Sequence, residues 1–201
     1  MIKMIRCNPP VWISTNWVQW GLQWGLDCER KKPWRWRGGR KRYGQQLSLL
    51  LDCTSSHCSY CDNYPMGKRI IKPEIDHFKP KTKYPKIAYK WDNLFAVCRY
   101  CQERLDNFDP LLLKPDEVGY SFKKYFEFDF NNYEIKPNRN ASNHDKSRAT
   151  YTIRILKLNG DDKYKGTKED VRRFRKEAFM RDKIQAVRGN TQNLIFRYMY
   201  L

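Results

Sequence analysis

Cys58-Ser59-Tyr60-Cys61 and Cys98-Arg99-Tyr100-Cys101 are the two segments that decide how this chain folds. Four thiols in two Cys-x-x-Cys pairs suit one tetrahedral Zn²⁺, because each pair can occupy two adjacent corners of the tetrahedron. Thirty-six residues separate the pairs, which is more than a zinc ribbon needs. We therefore expect a structural zinc with further structure built between the two knuckles.

The segment between the knuckles carries the candidate site residues. Asp76 and His77 stand at the end of a predicted short strand, and Asn93 follows before the second knuckle. A histidine can take a proton from water near neutral pH, and a hard carboxylate suits a divalent ion such as Mg²⁺ or Mn²⁺. Because neighbouring strand residues point to opposite faces, Asp76 and His77 share one site only if the strand is distorted there.

Composition indicates a polyanionic partner. The chain has 201 residues, with 40 Lys and Arg against 22 Asp and Glu, and its formal net charge is +18. Nucleic acid is the default partner of so basic a protein. No apolar run approaches the ~20 residues that cross a bilayer, and no signal peptide is visible, so we expect no membrane.

The seven cysteines favour a metal over disulfides. Their odd number, the paired spacing and the lack of an export signal are typical of a reducing compartment. Cys7, Cys28 and Cys53 have no partner at ligand spacing, and we expect them to be ordinary small apolar residues.

The N-terminal third is aromatic and then basic. Trp17, Trp20 and Trp24 share one face of a helix predicted over residues 14–26, where they pack on the core or form a protein interface. Residues 30–43 then hold eight cationic and three aromatic side chains, which favours contact with phosphates and bases over a solvated charge run. The candidate nucleic-acid-binding residues are Arg35, Arg37, Arg40, Lys41 and Arg42, with Lys79, Lys81 and Lys83 of a later loop.

The central pattern of Cys-x-x-Cys, Asp-His, Asn and Cys-x-x-Cys resembles the zinc-knuckled HNH endonucleases. A wider match is similar to the HNH nuclease subunit of bacterial Septu and retron anti-phage systems. The matching segments run from Ile75 to Lys81, from Trp91 to Leu94 and, more weakly, through residues 109–159.

This resemblance implies a fold, an activity and partners. The fold is the ββα-metal finger, and the activity is metal-dependent endonuclease, with DNA as the favoured substrate. His77 activates the water and Asp76 binds the divalent ion. Asn93 orients the His77 ring or the loop that carries it. The resemblance also implies an anti-phage effector of the bacterial cytoplasm with an ABC/SMC-like ATPase partner, since the chain itself has no Gly-rich nucleotide-binding loop.

One position departs from the family pattern. His or Asn usually follows the last cysteine and binds the metal, whereas Gln102 stands here. A neutral, longer amide arm should hold the ion less well, and Asp106, one helical turn later, is a second candidate ligand.

We therefore expect an α+β protein: a zinc-stapled ββα-metal (HNH) finger with helical and β-hairpin elaborations. Residues 1–52 form an aromatic and basic extension, 53–110 the nuclease module, and 111–201 a hairpin and helices. Two rival functions stay open: a non-catalytic zinc module that binds nucleic acid or scaffolds a complex, and an HNH nuclease acting on RNA such as tRNA.

Overall fold

The structure, a computed structural model, describes residues 1–67, 71–104, 106–160, 166–187 and 194–200, leaving aside the side chains of 184–187. In chain order its elements are α1 (Val11–Glu29), α2 (Gly39–Asp52), β1 (Pro73–His77), β2 (Leu94–Cys98), α3 (Arg99–Gln102), α4 (Phe122–Tyr125), β3 (Phe126–Asp129), β4 (Glu134–Pro137), α5 (Asn143–Ile155) and α6 (Lys168–Val187). Short 3-10 helices lie at Pro85–Ile87, Trp91–Asn93 and Arg197–Tyr200. The expected α+β class is confirmed.

An antiparallel pair of strands lies at the centre of the chain. β1 pairs with β2 in a register that sets Pro73 opposite Cys98 and His77 opposite Leu94. All five residues of β2 are buried, as expected of an apolar Leu-Phe-Ala-Val run. The short helix α3 follows β2 directly and carries Cys101, so β1 and β2 are followed by a helix at the second knuckle.

Helix α1 packs on the loop that follows β1. Gly21 lies against the backbone of Lys86, where a Cβ atom would stand 2.2 Å from the carbonyl oxygen. Trp24 is buried and its indole N–H donates to the carbonyl of Lys81 at 2.9 Å. Trp17 and Trp20 are half-buried against it, so of the two alternatives for these rings, packing on the protein's own core matches the contacts.

The residues before α1 are anchored to the central strands. The Arg6 guanidinium donates to the carbonyls of Trp91 and Leu94 and pairs with Asp116 at 2.7 Å. A disulfide joins Cys7 to Cys53 just beyond α2. The prediction that these two cysteines are ordinary apolar residues is therefore wrong, because the fold brings together thiols 46 positions apart in the sequence.

The C-terminal third forms the predicted hairpin and helices. β3 pairs antiparallel with β4 around a turn at Asn131 and Asn132, and α6 begins with a reciprocal cap in which Thr167 and Asp170 bond each other's backbone N–H groups. The last described residues return to the first knuckle, where the Arg197 guanidinium pairs with buried Asp62. Within the described ranges, no helix is long and apolar enough to cross a membrane.

The contact between α1 and the loop predicts opposite effects for two helical glycines. Gly21→Ala should lower the free energy of unfolding by about 2 kcal/mol, because its methyl group meets backbone that cannot yield. Gly44→Ala, in α2 with open space around it, should instead raise that free energy by about 0.5–1 kcal/mol. Urea denaturation of both variants checks this pair. Equal effects of the two substitutions would contradict the packing described for α1.

Candidate functional site

The four knuckle cysteines meet at one point. The sulfur atoms of Cys58, Cys61, Cys98 and Cys101 all lie within 4.8 Å of one another, and those of Cys61 and Cys98 are 3.6 Å apart. Sulfurs on a tetrahedral zinc, with bonds of about 2.3 Å, stand about 3.8 Å apart. Burial and the neighbouring thiols raise the pKa of Cys58, so a cation is needed to hold these groups as thiolates. The four residues therefore fit a structural zinc.

Backbone hydrogen bonds hold the first knuckle against β2. The N–H of Cys98 donates to the sulfur of Cys58 at 3.2 Å, and the N–H of Ser59 donates to the carbonyl of Ala96 at 3.0 Å. The cluster thus ties the loop after α2 to the end of β2, and it fixes where α3 begins.

A cavity of about 580 Å³ lies beside this cluster, and we call it the site cavity. Its walls combine cations, carboxylates, an amide, an imidazole and two indoles. The lining residues are Trp34, Trp36, Glu74, Ile75, Asp76, His77, Pro80, Lys81, Arg99, Gln102, Glu103 and Asp106. Five predicted site residues are therefore brought to one cavity: Asp76, His77, Lys81, Gln102 and Asp106.

His77 is held as a neutral imidazole. Burial, with the nearby charge of Lys81, lowers its pKa to about 3, although a hydrogen bond to the backbone of Ala88 opposes that shift. Its Nε2 atom is buried and has no hydrogen-bond partner within the described part of the chain. The bond to Ala88 therefore belongs to Nδ1, and the lone pair of Nε2 is left free to accept a proton.

Two tryptophans of the basic N-terminal segment cover His77. The Trp36 ring stacks on the imidazole, with centroids 5.3 Å apart and planes 14° apart. The Trp34 ring meets it edge-on at 5.0 Å. The prediction was that these rings contact nucleic acid, whereas in the structure they pack on His77, the candidate general base. The sequence gives no signal for these contacts, since Trp36 and Trp34 stand 41 and 43 positions before His77.

Asp76 points into a buried network of hydrogen bonds. Its Oδ2 atom accepts from the Tyr60 hydroxyl at 2.7 Å and from Arg104 through Nη2 at 2.6 Å and Nε at 3.0 Å. Burial raises the pKa of Asp76, and the guanidinium of Arg104 opposes that rise. The carboxylate oxygen is thus already satisfied by three protein donors.

Arg104 is a site residue that the sequence reasoning missed. Its side chain is fully buried, and it also donates to the carbonyls of His77 and Phe78 at 2.7 and 2.9 Å and to that of Asn107 at 2.9 Å. One guanidinium therefore fixes two successive peptide groups, those before and after Phe78. The fold alone reveals this role, because Arg104 looks like any other cation of a basic chain.

Asn93 holds the loop after β1. Its Oδ1 accepts from the Lys79 N–H at 2.8 Å, and its Nδ2 donates to the carbonyls of Lys79 and Ile87 at 3.0 and 3.2 Å. These bonds are with the loop that carries the candidate lysines and with the turn beside Ala88. Of the two roles expected for Asn93, positioning the loop matches these contacts.

The other candidate ligands lie at the rim of the site cavity. Gln102 is half-buried at the end of α3, and exposed Asp106 accepts a hydrogen bond from Thr82 at 2.7 Å through one carboxylate oxygen. The carbonyl of Asp106 accepts from the ammonium of Lys83 at 3.2 Å.

The candidate nucleic-acid-binding residues fall into two groups by exposure. Exposed positions are Arg35, Arg40, Lys41, Lys79 and Lys83, and half-buried positions are Arg37, Arg42 and Lys81. Lys81 reaches over the Trp34 ring, with its ammonium 5.6 Å from the centroid, and lines the site cavity. Only Lys81 of these eight residues lines the site cavity.

Comparison with known proteins gives one partial similarity. No protein-family model matches the chain. Over 60 residues, the chain is 30% identical to the Septu protein PtuB of Bacillus thuringiensis. The aligned segment covers 30% of this chain and 23% of that relative, so less than a quarter of the relative's length is matched.

The cysteine cluster predicts a specific pattern of zinc loss. The purified protein should carry about one zinc per chain. Cys58→Ser or Cys101→Ser should abolish stable zinc binding, because only three thiolate ligands remain for a four-coordinate ion. Cys28→Ser is the matched control, since Cys28 is a free thiol outside the cluster. Elemental analysis by plasma mass spectrometry measures all four proteins. Full zinc content in Cys58→Ser, or its loss from Cys28→Ser, would contradict the assignment.

Proposed function

We propose that this chain is a metal-dependent HNH endonuclease that hydrolyses phosphodiester bonds in DNA. The observation that carries this proposal is the Nε2 atom of His77, which has no hydrogen-bond partner among the described residues and belongs to a residue lining a cavity with cations and oxygen donors. A general base works best with a pKa near the working pH, so His77, whose pKa burial lowers to about 3, acts as one once water and substrate reach the imidazole and raise that pKa.

The proposed reaction uses the residues of the site cavity. His77 takes a proton from the water that attacks the phosphorus atom. Lys81 and Arg99 line the same cavity, where they neutralise the charge of the phosphate. Asn93 keeps the loop in place, and Arg104 fixes the end of β1 so that the imidazole stays aimed at the water.

The donors for a divalent ion differ in how far they are already occupied. Oδ2 of Asp76 accepts three hydrogen bonds from Tyr60 and Arg104, so in this arrangement Asp76 would bind the ion through Oδ1 and not through Oδ2. Gln102 and Asp106 do fit by chemistry, since amide and carboxylate oxygens are the hard ligands that Mg²⁺ and Mn²⁺ prefer. When bound, such an ion carries charge on the scissile phosphate.

The proposed biological setting is anti-phage defence. The partial similarity to a Septu protein supports it, together with the resemblance of the central motifs to nuclease subunits of Septu and retron systems. In this setting the chain works in the bacterial cytoplasm with an ABC/SMC-like ATPase subunit, which supplies the nucleotide binding that this chain's motifs lack.

A second candidate function is a non-catalytic zinc module that binds nucleic acid. The covered imidazole of His77 and the paired carboxylate of Asp76 favour it, because both groups have protein partners in the structure. A third candidate, cleavage of RNA such as tRNA, keeps the same residues and changes only the substrate.

A cleavage assay separates these candidates. Zinc-loaded wild type, His77→Ala and His144→Ala are incubated with Mg²⁺ or Mn²⁺ and plasmid DNA, single-stranded DNA or tRNA. His144→Ala is the control because His144 is exposed on α5, outside the site cavity. We expect wild type and His144→Ala to cut DNA, and His77→Ala to lose at least 100-fold in rate, as removal of a general base does.

Two outcomes would contradict the nuclease proposal. Equal cleavage by His77→Ala would remove His77 from the reaction. If no substrate is cut by zinc-loaded wild type, either alone or mixed with its co-purifying ATPase, while nucleic acid still binds, the non-catalytic module is the better account. Preferential cleavage of tRNA would move the assignment to the RNA nuclease.

A further inference from the structure

Trp36 separates two cavities of the protein. It lines the site cavity, where one face of its ring stacks on His77. It also lines a second cavity of about 730 Å³ together with Arg35, Gly39, Arg40 and Tyr43, and we call this the outer cavity. The Tyr43 ring lies 5.3 Å from Trp36 at an angle of 52°. A flat ligand in the outer cavity therefore meets two aromatic rings and two guanidinium groups.

The lining of the outer cavity suits one class of ligand. Arg35 and Arg40 are exposed, and no carboxylate of the described residues lies within ion-pair distance of either guanidinium. Unpaired guanidiniums bind phosphate, and indole and phenol rings stack on bases whose faces are open. A base inside a duplex does not offer its face, so an unpaired nucleotide of a single-stranded segment fits best.

Side-chain contacts hold the segment that carries Trp36, residues 30–38, in place; we call this segment the strap. The Tyr89 hydroxyl donates to the carbonyl of Arg35 at 2.8 Å, and the Trp34 ring stacks on Tyr89 at 4.7 Å. Asp27 of α1 pairs with Lys32 at 3.2 Å and with Arg37 at 3.4 Å. The strap forms no β-ladder with the rest of the chain in the described ranges. Its attachment therefore consists of side-chain contacts, to which the rings of Trp34 on Trp24 and of Trp36 on Tyr89 also contribute.

The strap ends at a pair of glycines. Gly38 and Gly39 adopt φ angles of 84° and 67°, in the left-handed region that glycine enters without strain. Gly38 precedes α2 and Gly39 is its first residue, so the strap meets this helix where the backbone is most adaptable. A movement of Trp36 away from His77 can therefore be absorbed at Gly38 without disturbing the body of α2.

We infer that the outer cavity binds an unpaired nucleotide and that this binding uncovers His77. In the structure His77 is 7% exposed and both indoles pack on its ring, so a phosphate cannot reach Nε2. Trp36 is held on one side by His77 and borders the outer cavity with Arg35, Arg40 and Tyr43, so a nucleotide bound there competes with His77 for the position of Trp36. This inference rests on the proposed function, since it makes single-stranded substrate the signal that opens the site cavity.

The binding part is tested with a fluorescein-labelled 12-nucleotide oligo(dT) in buffer without divalent ions. The double variant Arg35→Ala/Arg40→Ala should bind at least tenfold more weakly than wild type by fluorescence anisotropy. The matched control is Arg139→Ala/Arg173→Ala, which removes the same charge from exposed arginines outside both cavities. It should change affinity less than threefold. Equal losses in the two double variants would overturn the outer cavity as the binding site.

The coupling part is tested with His77→Ala in the same assay. If the nucleotide must draw Trp36 off His77, removing the imidazole relieves that competition, and oligo(dT) should bind several-fold more tightly. Unchanged or weaker binding would overturn the coupling. Carbethoxylation with diethyl pyrocarbonate tests directly whether Trp36 shields His77 from solvent. His77 should be unreactive in wild type and reactive in Trp36→Ala. Exposed His144 and buried His57 serve as internal standards in the same samples.

These measurements are independent of cleavage, because no divalent ion is present. If they succeed while the cleavage assay fails, the outer cavity is a nucleotide site of a non-catalytic module. If cleavage succeeds while they fail, the protein is a nuclease without this cover.

Discussion

The buried ion pair between Arg104 and Asp76 is the interaction on which the site depends. It satisfies a carboxylate that has left water, and the same guanidinium binds the carbonyls of His77 and Phe78. A buried charge that loses its partner is far more costly than a surface pair, so this geometry is held firmly. The end of β1, and with it His77, is therefore set by one side chain from beyond α3. The cysteine cluster supports that arrangement by fixing where β2 ends and α3 starts.

The pair also gives the neighbouring residues Asp76 and His77 different tasks. Asp76 accepts from Tyr60 and Arg104 in the interior, while His77 packs against the strap and its Nε2 has no hydrogen-bond partner among the described residues. Neighbouring side chains of a strand point to opposite faces unless the backbone is distorted, so Asp76 and His77 are expected to point in different directions. A divalent ion that used Oδ2 of Asp76 would have to compete with the guanidinium. The oxygen donors left for such an ion are Oδ1 of Asp76 and the rim residues Gln102 and Asp106.

The sequence predicted the features that local spacing and periodicity determine. It did not predict contacts between residues far apart in the chain. The Cys-x-x-Cys pairs, the strand ending at Asp76-His77 and the tryptophan face of α1 follow from spacing and periodicity, and the structure has all three. The contacts of Arg104 with Asp76, and of Trp34 and Trp36 with His77, join positions 28 to 43 residues apart in a basic, aromatic chain. Many residues of the same types could have made them. The Cys7–Cys53 bond was missed for the same reason.

The most direct test measures the free energy of unfolding of Arg104→Met, Arg104→Met/Asp76→Leu and Arg99→Met by chemical denaturation. Our account predicts that Arg104→Met loses about 3–5 kcal/mol, because Asp76 is left charged and unpaired in the interior. The double variant should recover a large part of that loss. Arg99→Met, which removes an exposed cation of α3, should change the value by less than about 0.5 kcal/mol. A loss below about 1 kcal/mol in Arg104→Met, or a double variant no more stable than the single one, would contradict the central role of this pair.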